Sequence, residues 1–147
     1  MSGDINMGGN DITNAGTFSG TATSAQYADL AEIYKADGNI APGTVVMFGG
    51  DAEVTECGDD HCKKVAGVVS TNPAYLMNSD ADGIAVALQG RVPCKVTGKI
   101  AKGDMLVSAG GGKARAEEDP KMGSVIGKAL EDFDGAEGVI EVVVGRM

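Results

Sequence analysis

The densest group of reactive side chains in this sequence of 147 residues is Cys57-Gly-Asp-Asp-His61-Cys62, two thiols and an imidazole within six positions. Thiolate and imidazole are zinc ligands, and Asp59, Asp60 or the remote Cys94 would supply a fourth. The spacing matches no common zinc pattern, because structural sites usually draw their ligands from two separate knuckles. A disulfide across a hairpin mouth is geometrically allowed and needs an oxidising compartment. A solvated polar loop, between a strand ending near Glu56 and one starting near Lys64, needs no further assumption and is the reading adopted. His61 is the only histidine, and a Ser/His/Asp or Cys/His site would depend on partners that only the fold brings together. The acidic groups Asp59-Asp60, Asp80 and Asp82, and Glu117-Glu118-Asp119 lie among Gly, Asn and Pro, where turns account for them. Asp80-Ala-Asp82-Gly83 lacks the remaining ligands of a calcium loop. Gly110-Gly111-Gly112-Lys113 lacks both the GxxxxGK[ST] pattern and the helix of a phosphate loop. The sequence therefore predicts no catalytic residue, cofactor or metal, with Cys57, His61 and Cys62 as weak ligand candidates.

The elements that must position these residues are short and glycine-rich. Glycine contributes 23 residues, aromatics only 4% and Trp none, against an ordinary glycine frequency of about 7%. From Ile40 the chain repeats itself: IAPGTVVMF (40–48) matches IAKGDMLVS (100–108), KVAGVVS (64–70) matches SVIGKAL (124–130), and GIAVALQGR (83–91) matches GVIEVVVGR (138–146). Gly43 and Gly67 stand 24 apart, as do Gly103 and Gly127; Gly83 and Gly90 stand 7 apart, as do Gly138 and Gly145. Repeats of this kind fix architecture before any single element does. Ala41-Pro42-Gly43-Thr44 suits a type II turn, with Pro presetting φ and Gly supplying the positive φ, and Ala101 to Asp104 keeps the Gly. Gly49-Gly50-Asp51 and Gly110 to Gly112 read as hairpin reversals into short strands. Gly67 and Gly127 interrupt apolar strands and predict bulges or close backbone packing. Ala25 to Lys35 carries a helical spacing at Tyr27, Leu30, Ala31 and Tyr34, or is an extended connector.

The first thirty residues are different in kind. Ile5, Met7, Ile12 and Phe18 stand singly among Gly, Asn, Asp, Ser and Thr. One such chain buries too little to offset its ordering entropy, whereas several copies wound together share an apolar axis. The formal net charge of −9 opposes nucleic acid and anionic membranes as partners. No apolar run approaches the roughly 20 residues of a membrane span, and the odd cysteine count argues against a secreted disulfide framework. Synthesis in the cytoplasm as a soluble protein is the expectation. Tyr75, Leu76 and Met77 form an apolar segment in an expected loop, packed over a barrel end or a neighbouring subunit, or used in recognition.

Two stretches carry a resemblance. NMGGNDITNAGTFSG followed by SAQYADLAE (Asn6 to Asn14 and Ser24 to Glu32) resembles the shaft-to-head segments of bacteriophage tail-fibre and appendage proteins. There, such repeats wind three chains about one axis and hand over to a C-terminal head. DGNIAPGTVVMFGGDAEVT and KKVAGVVSTNPAYLMNS resemble a C-terminal domain of phage structural proteins and, more distantly, the self-cleaving chaperone domain of phage appendages. The strand pattern and the repeat predict an all-β fold, an internally duplicated small β-barrel or β-roll, and the resemblance implies an extended, interwound trimeric N-terminal stalk before it. Residues 1–35 would form the stalk and connector, and 36–147 the β domain, in units of about 36–97 and 98–147. Ile5, Met7, Ile12, Phe18, Tyr27 and Leu30 would face the other chains. The implied function is that of a non-enzymatic virion component: a short tail fibre, spike, or tail-tip or baseplate appendage. It would be assembled in the host cytoplasm and would act in particle assembly and host-surface attachment. Its partners would be two further copies, other tail or baseplate proteins, and a host glycan or protein. The alternative is a self-processing or intramolecular-chaperone domain, with Ser79-Asp80 as the bond to be cut.

Overall fold

The computed structural model describes residues 3–22 and 24–145. It contains β1 (Asp29–Tyr34), β2 (Val45–Phe48), β3 (Val54–Glu56), β4 (Val65–Val69), β5 (Tyr75–Met77), β6 (Ile84–Ile100), β7 (Met105–Gly110), β8 (Lys113–Ala116), β9 (Gly127–Ala129) and β10 (Phe133–Val144), with no helix among the described residues. The protein is all-β, and its strands close on themselves. Pairing runs β10–β9–β7–β8–β6 and returns from β6 to β10, which makes a closed five-stranded barrel. Its seam is one parallel pair, Val96 with Ala114.

The earlier strands trace the same circuit. β1 pairs β6, β6 pairs β4, β4 pairs β2 and β2 pairs β3. The ring closes at a parallel bridge between Ala36, just past β1, and Val54. Lys35 O accepts from the N–H groups of Glu53 (3.0 Å) and Val54 (3.1 Å) at this seam. Sixty residues on (36 to 96, 54 to 114), this seam becomes Val96 with Ala114. The same step turns Val46↔Glu56 into Leu106↔Ala116 and Val46↔Gly67 into Leu106↔Gly127. Two barrels thus share one ladder pattern, and β6 serves both. Its first half closes the first barrel and its second half opens the second.

The turns form as their residues dictate. Thr44 N–H donates to Ala41 O over Gly43 at φ 85°, and Asp104 N–H donates to Ala101 O over Gly103 at φ 94°. Gly67 and Gly127 mark equivalent crossings. A Cβ on Gly67 would strike the carbonyl oxygen of Ala87, and one on Gly127 that of Val143. Interior positions also correspond: Val46, Val54, Ala66, Val69 and Val86 fill the first barrel, and Leu106, Ala114, Ile126, Ala129 and Val142 the second. Five strands enclose a narrow interior, which explains a core of Val, Ala and Ile without Trp. Each fully buried Val or Leu contributes roughly 1.5–3 kcal/mol.

Three sequence expectations change. The sequence match of Gly83 to Gly138 is not the ladder match: Tyr34↔Ile84 corresponds to Cys94↔Ile140. The slip arises because β1 skips a residue of β6, pairing Leu30 with Gln89 and Ala31 with Ala87, so Leu88 is an extra bulge residue. The helical spacing over Ala25 to Lys35 gives way to strand β1, whose burial alternates with period two, placing Ala31 and Ile33 inside. Tyr75 to Met77 form β5, parallel to β1, instead of a loop. The division drawn at 35/36 therefore passes just after β1, and that drawn at 97/98 passes through β6. At Gly90 the two edges of β6 meet opposite ends of the body, since Gly90 pairs with Asp29 on one side and with Val144 on the other. Gly90 has φ 106°, and a Cβ there would strike Ala28 O.

Candidate functional site

The Cys57-to-Cys62 segment is built into the junction of the barrels. Cys57 and Cys62 are 0% and 7% exposed, and the core cluster contains both. The solvated loop expected from the sequence is therefore a turn with two inward thiols and outward Asp59 and Asp60. Ser108 of β7 holds it: Cys62 N–H donates to Ser108 Oγ (2.8 Å), Ser108 Oγ–H donates to Asp59 O (2.8 Å), and His61 N–H donates to Ser108 O (2.8 Å). All three cysteines are free thiols. Burial pushes the Cys94 thiol up to about 12 and raises Cys57. Both thiols thus sit in surroundings that favour the protonated form. Among the described residues no group of three or more His, Cys, Asp or Glu is disposed to hold a metal.

His61 adopts φ 55°, accepts a hydrogen bond at Nε2 from Lys121 N–H (3.0 Å), and places Nδ1 3.8 Å from Glu117. Nε2 thus ties the turn to the segment after β8. Arg115 completes the tie. Its guanidinium grips both carboxylate oxygens of Asp60, at 2.7 and 3.1 Å, and donates to Glu117 at 2.9 Å. The same bonds hold the Asp60 and Glu117 carboxyls below their usual range. The pairs Asp59-Asp60 and Glu117-Glu118 looked independent in sequence, and Arg115 is the residue that joins them. Its one visible signal was the outward phase of KARA between inward Ala114 and Ala116. The arrangement is a cross-link between segments 55 residues apart (60 to 115).

A second polar feature lies where the arm enters the body. Asp29 Oδ2 and Ser70 Oγ are buried and accept no hydrogen bond among the described residues. They line a cleft of about 340 Å³ with Tyr27, Asn72 and Arg91. Sequence inspection missed this pair because β1 was not assigned as a strand, and only period-two alternation turns Asp29 inward. Ser79 and Asp80 are exposed in the turn after β5.

Residues 3–28, with residue 23 outside the description, form an arm ahead of β1. Every described residue from 3 to 28 is exposed and none is in a strand. Ile5 (66% exposed), Ile12 (53%) and Phe18 (72%) project from it, with Met7 and Tyr27 also exposed. It contains a turn in which Asn10 N–H donates to Met7 O (3.1 Å) across Gly8 and Gly9, at φ 61° and 84°. Asn6 Oδ1 accepts from Gly8 N–H (2.8 Å). Leu30 lies in β1, half-buried, and Tyr75 of β5 is 67% exposed.

No family model and no curated protein matches the chain. Among solved structures the chain is similar to the head fiber gp8.5 N base of bacteriophage phi29, with a TM-score of 0.46 and 16% identity, over 78% of this chain and 92% of that one.

Proposed function

We propose that this protein is a non-enzymatic structural component of a bacteriophage virion, a short fibre, spike, or tail-tip or baseplate appendage, assembled as a homotrimer through its arm. The observation that carries the reading is the arm itself, whose single apolar side chains (Ile5, Met7, Ile12, Phe18) project from a wholly exposed, glycine-rich strand of polypeptide. Isolated exposed apolar residues are ordinary, but four on one segment without a core of its own need partner chains to cover them. Three copies about one axis give each side chain two equivalents to pack on, and Asn and Thr satisfy backbone groups between the layers. The NMGGNDITN and SAQYADLAE motifs support the same reading.

In this reading the double barrel is the head that the arm carries into the particle. Its roles are assembly with other tail or baseplate proteins and attachment to a host-surface glycan or protein. Light scattering on the intact chain is expected to give about three times the chain mass of 14.8 kDa, and a well-behaved monomer overturns the reading. Intact mass is expected to stay unchanged on long incubation. A cut at Ser79-Asp80 that Ser79→Ala abolishes would establish the self-processing alternative.

A further inference from the structure

The two barrels join through a specific seat. The β7–β8 hairpin tip of the second barrel reaches the outer face of the first, where Gly112 O accepts from Val45 N–H (2.8 Å) and Gly112 N–H donates to Cys57 O (3.0 Å). Lys95 closes the other flank, its N–H donating to Gly43 O (2.9 Å) and its ammonium to Thr44 Oγ1 (2.9 Å). The seat is framed by Gly43 N–H donating to Val69 O (2.8 Å) and Cys57 N–H donating to Val45 O (2.9 Å).

The second barrel carries the same frame sixty residues on (43 to 103, 57 to 117). Gly103 N–H donates to Ala129 O (2.8 Å), and Glu117 N–H donates to Met105 O (3.0 Å). There the frame holds no hairpin. Two adjoining clefts stand in its place, of about 830 and 520 Å³, both reaching Gly103 and Lys128.

We propose that this open face is seated by the β2–β3 hairpin of a second copy of the chain, repeating between molecules the contact that joins the barrels within one. The occupant follows from the duplication. The β2–β3 tip is the counterpart of the β7–β8 tip, turning at Gly50 (φ 79°) where the other turns at Gly110 (φ 82°), and Gly50 and Asp51 are exposed. The hairpin tip is acidic: Asp37, whose carboxylate lies beside Gly50, joins Asp51 and Glu53 around it. Lys99, Lys102 and Lys128 border the clefts and form no ion pair among the described residues, on a rim of mixed charge that also carries Asp104, Glu117 and Glu118. The filled seat is apolar, with Val45, Cys57 and Val68 buried, whereas its counterpart holds Met105, Glu117 and Lys128. That shift is the difference between a core and a contact between separately folded units, which is more polar. The contact uses two different patches, so it repeats head to tail and closes into a ring when the rotation allows. It does not depend on the arm or on the phage reading.

The test uses full-length chains. Asp51→Cys and Lys128→Cys chains are co-expressed and treated with a bismaleimide, and each variant is also treated alone. Covalent dimers are expected in the co-expressed sample well above either variant alone. Dimers confined to one variant alone, or absent from every sample although a monofunctional maleimide labels both cysteines fully, overturn the proposal. A three-fold mass by light scattering in that second case would leave the arm-mediated trimer standing.

Discussion

The two barrels share a ladder and differ in what covers them. Val45, Val68 and Cys57 of the first are sealed beneath the second barrel, whereas Met105, Lys128 and Glu117, at the same places, face outward. Inside, the pairs are alike: Val46 and Leu106, Val54 and Ala114, Val86 and Val142 are all buried. The difference teaches that duplication preserves the backbone pairing and the interior, while the outer face is free to become either core or contact surface.

The sharpest way to break the likeness is at the crossings. Gly67→Val and Gly127→Val each drive a side chain into a neighbouring carbonyl, so both are expected to cost roughly 3 kcal/mol or more and to abolish cooperative unfolding by circular dichroism. A strong loss at only one position would show that the barrels are not equivalent there. The outer faces should respond oppositely. Val68→Lys buries an unpaired charge at the junction and is expected to destabilise by about 3 kcal/mol. The reverse change, Lys128→Val, should lie within about 0.5 kcal/mol in denaturant melts. Interior truncations come next: Leu106→Ala should cost about 3 kcal/mol and Val46→Ala about 2 kcal/mol, because the larger side chain leaves the larger void.

The smallest effect concerns pH. Asp60 and Glu117 are held below their ordinary values of 3.8 and 4.5 by Arg115. The folded state therefore binds protons less readily than the unfolded state. The contribution is complete above those values and is lost as pH falls through them toward the lower folded values. Arg115→Ala should lower the melting temperature slightly at neutral pH, leave it unchanged at the acid end, and so flatten the acid limb of the profile; the loss is small because solvent screens the Asp60 pair.

Much of this was legible where local chemistry is strict. Pro42-Gly43 and Gly103 announce their turns because a positive φ excludes most side chains, and Gly67 and Gly127 announce backbone contact. The parts that escaped were set by distant partners. β1 has a helix-like spacing, and only its pairing with β6 selects period two. Leu88 is an ordinary apolar residue until the bulge makes it the extra one, which is why the glycine match misaligns the last strands. Asp29 and Ser70 carry no signal alone, because they meet only across 41 positions (29 to 70), and the outward phase of Arg115 does not reveal Asp60, 55 positions away. Cys57 and Cys62 looked like a solvated loop since their neighbours are acidic; only the second barrel, packed on them, makes them core.

The meeting of Asp29 and Val144 at Gly90 has a mechanical consequence. Tension between the segment before Asp29 and the end of β10 does not shear the two ladders of β6 along their length. It opens them from Gly90 outward in opposite directions, one hydrogen bond at a time. A domain loaded in that way gives up its ladders singly, where a sheared ladder would have to break many bonds together.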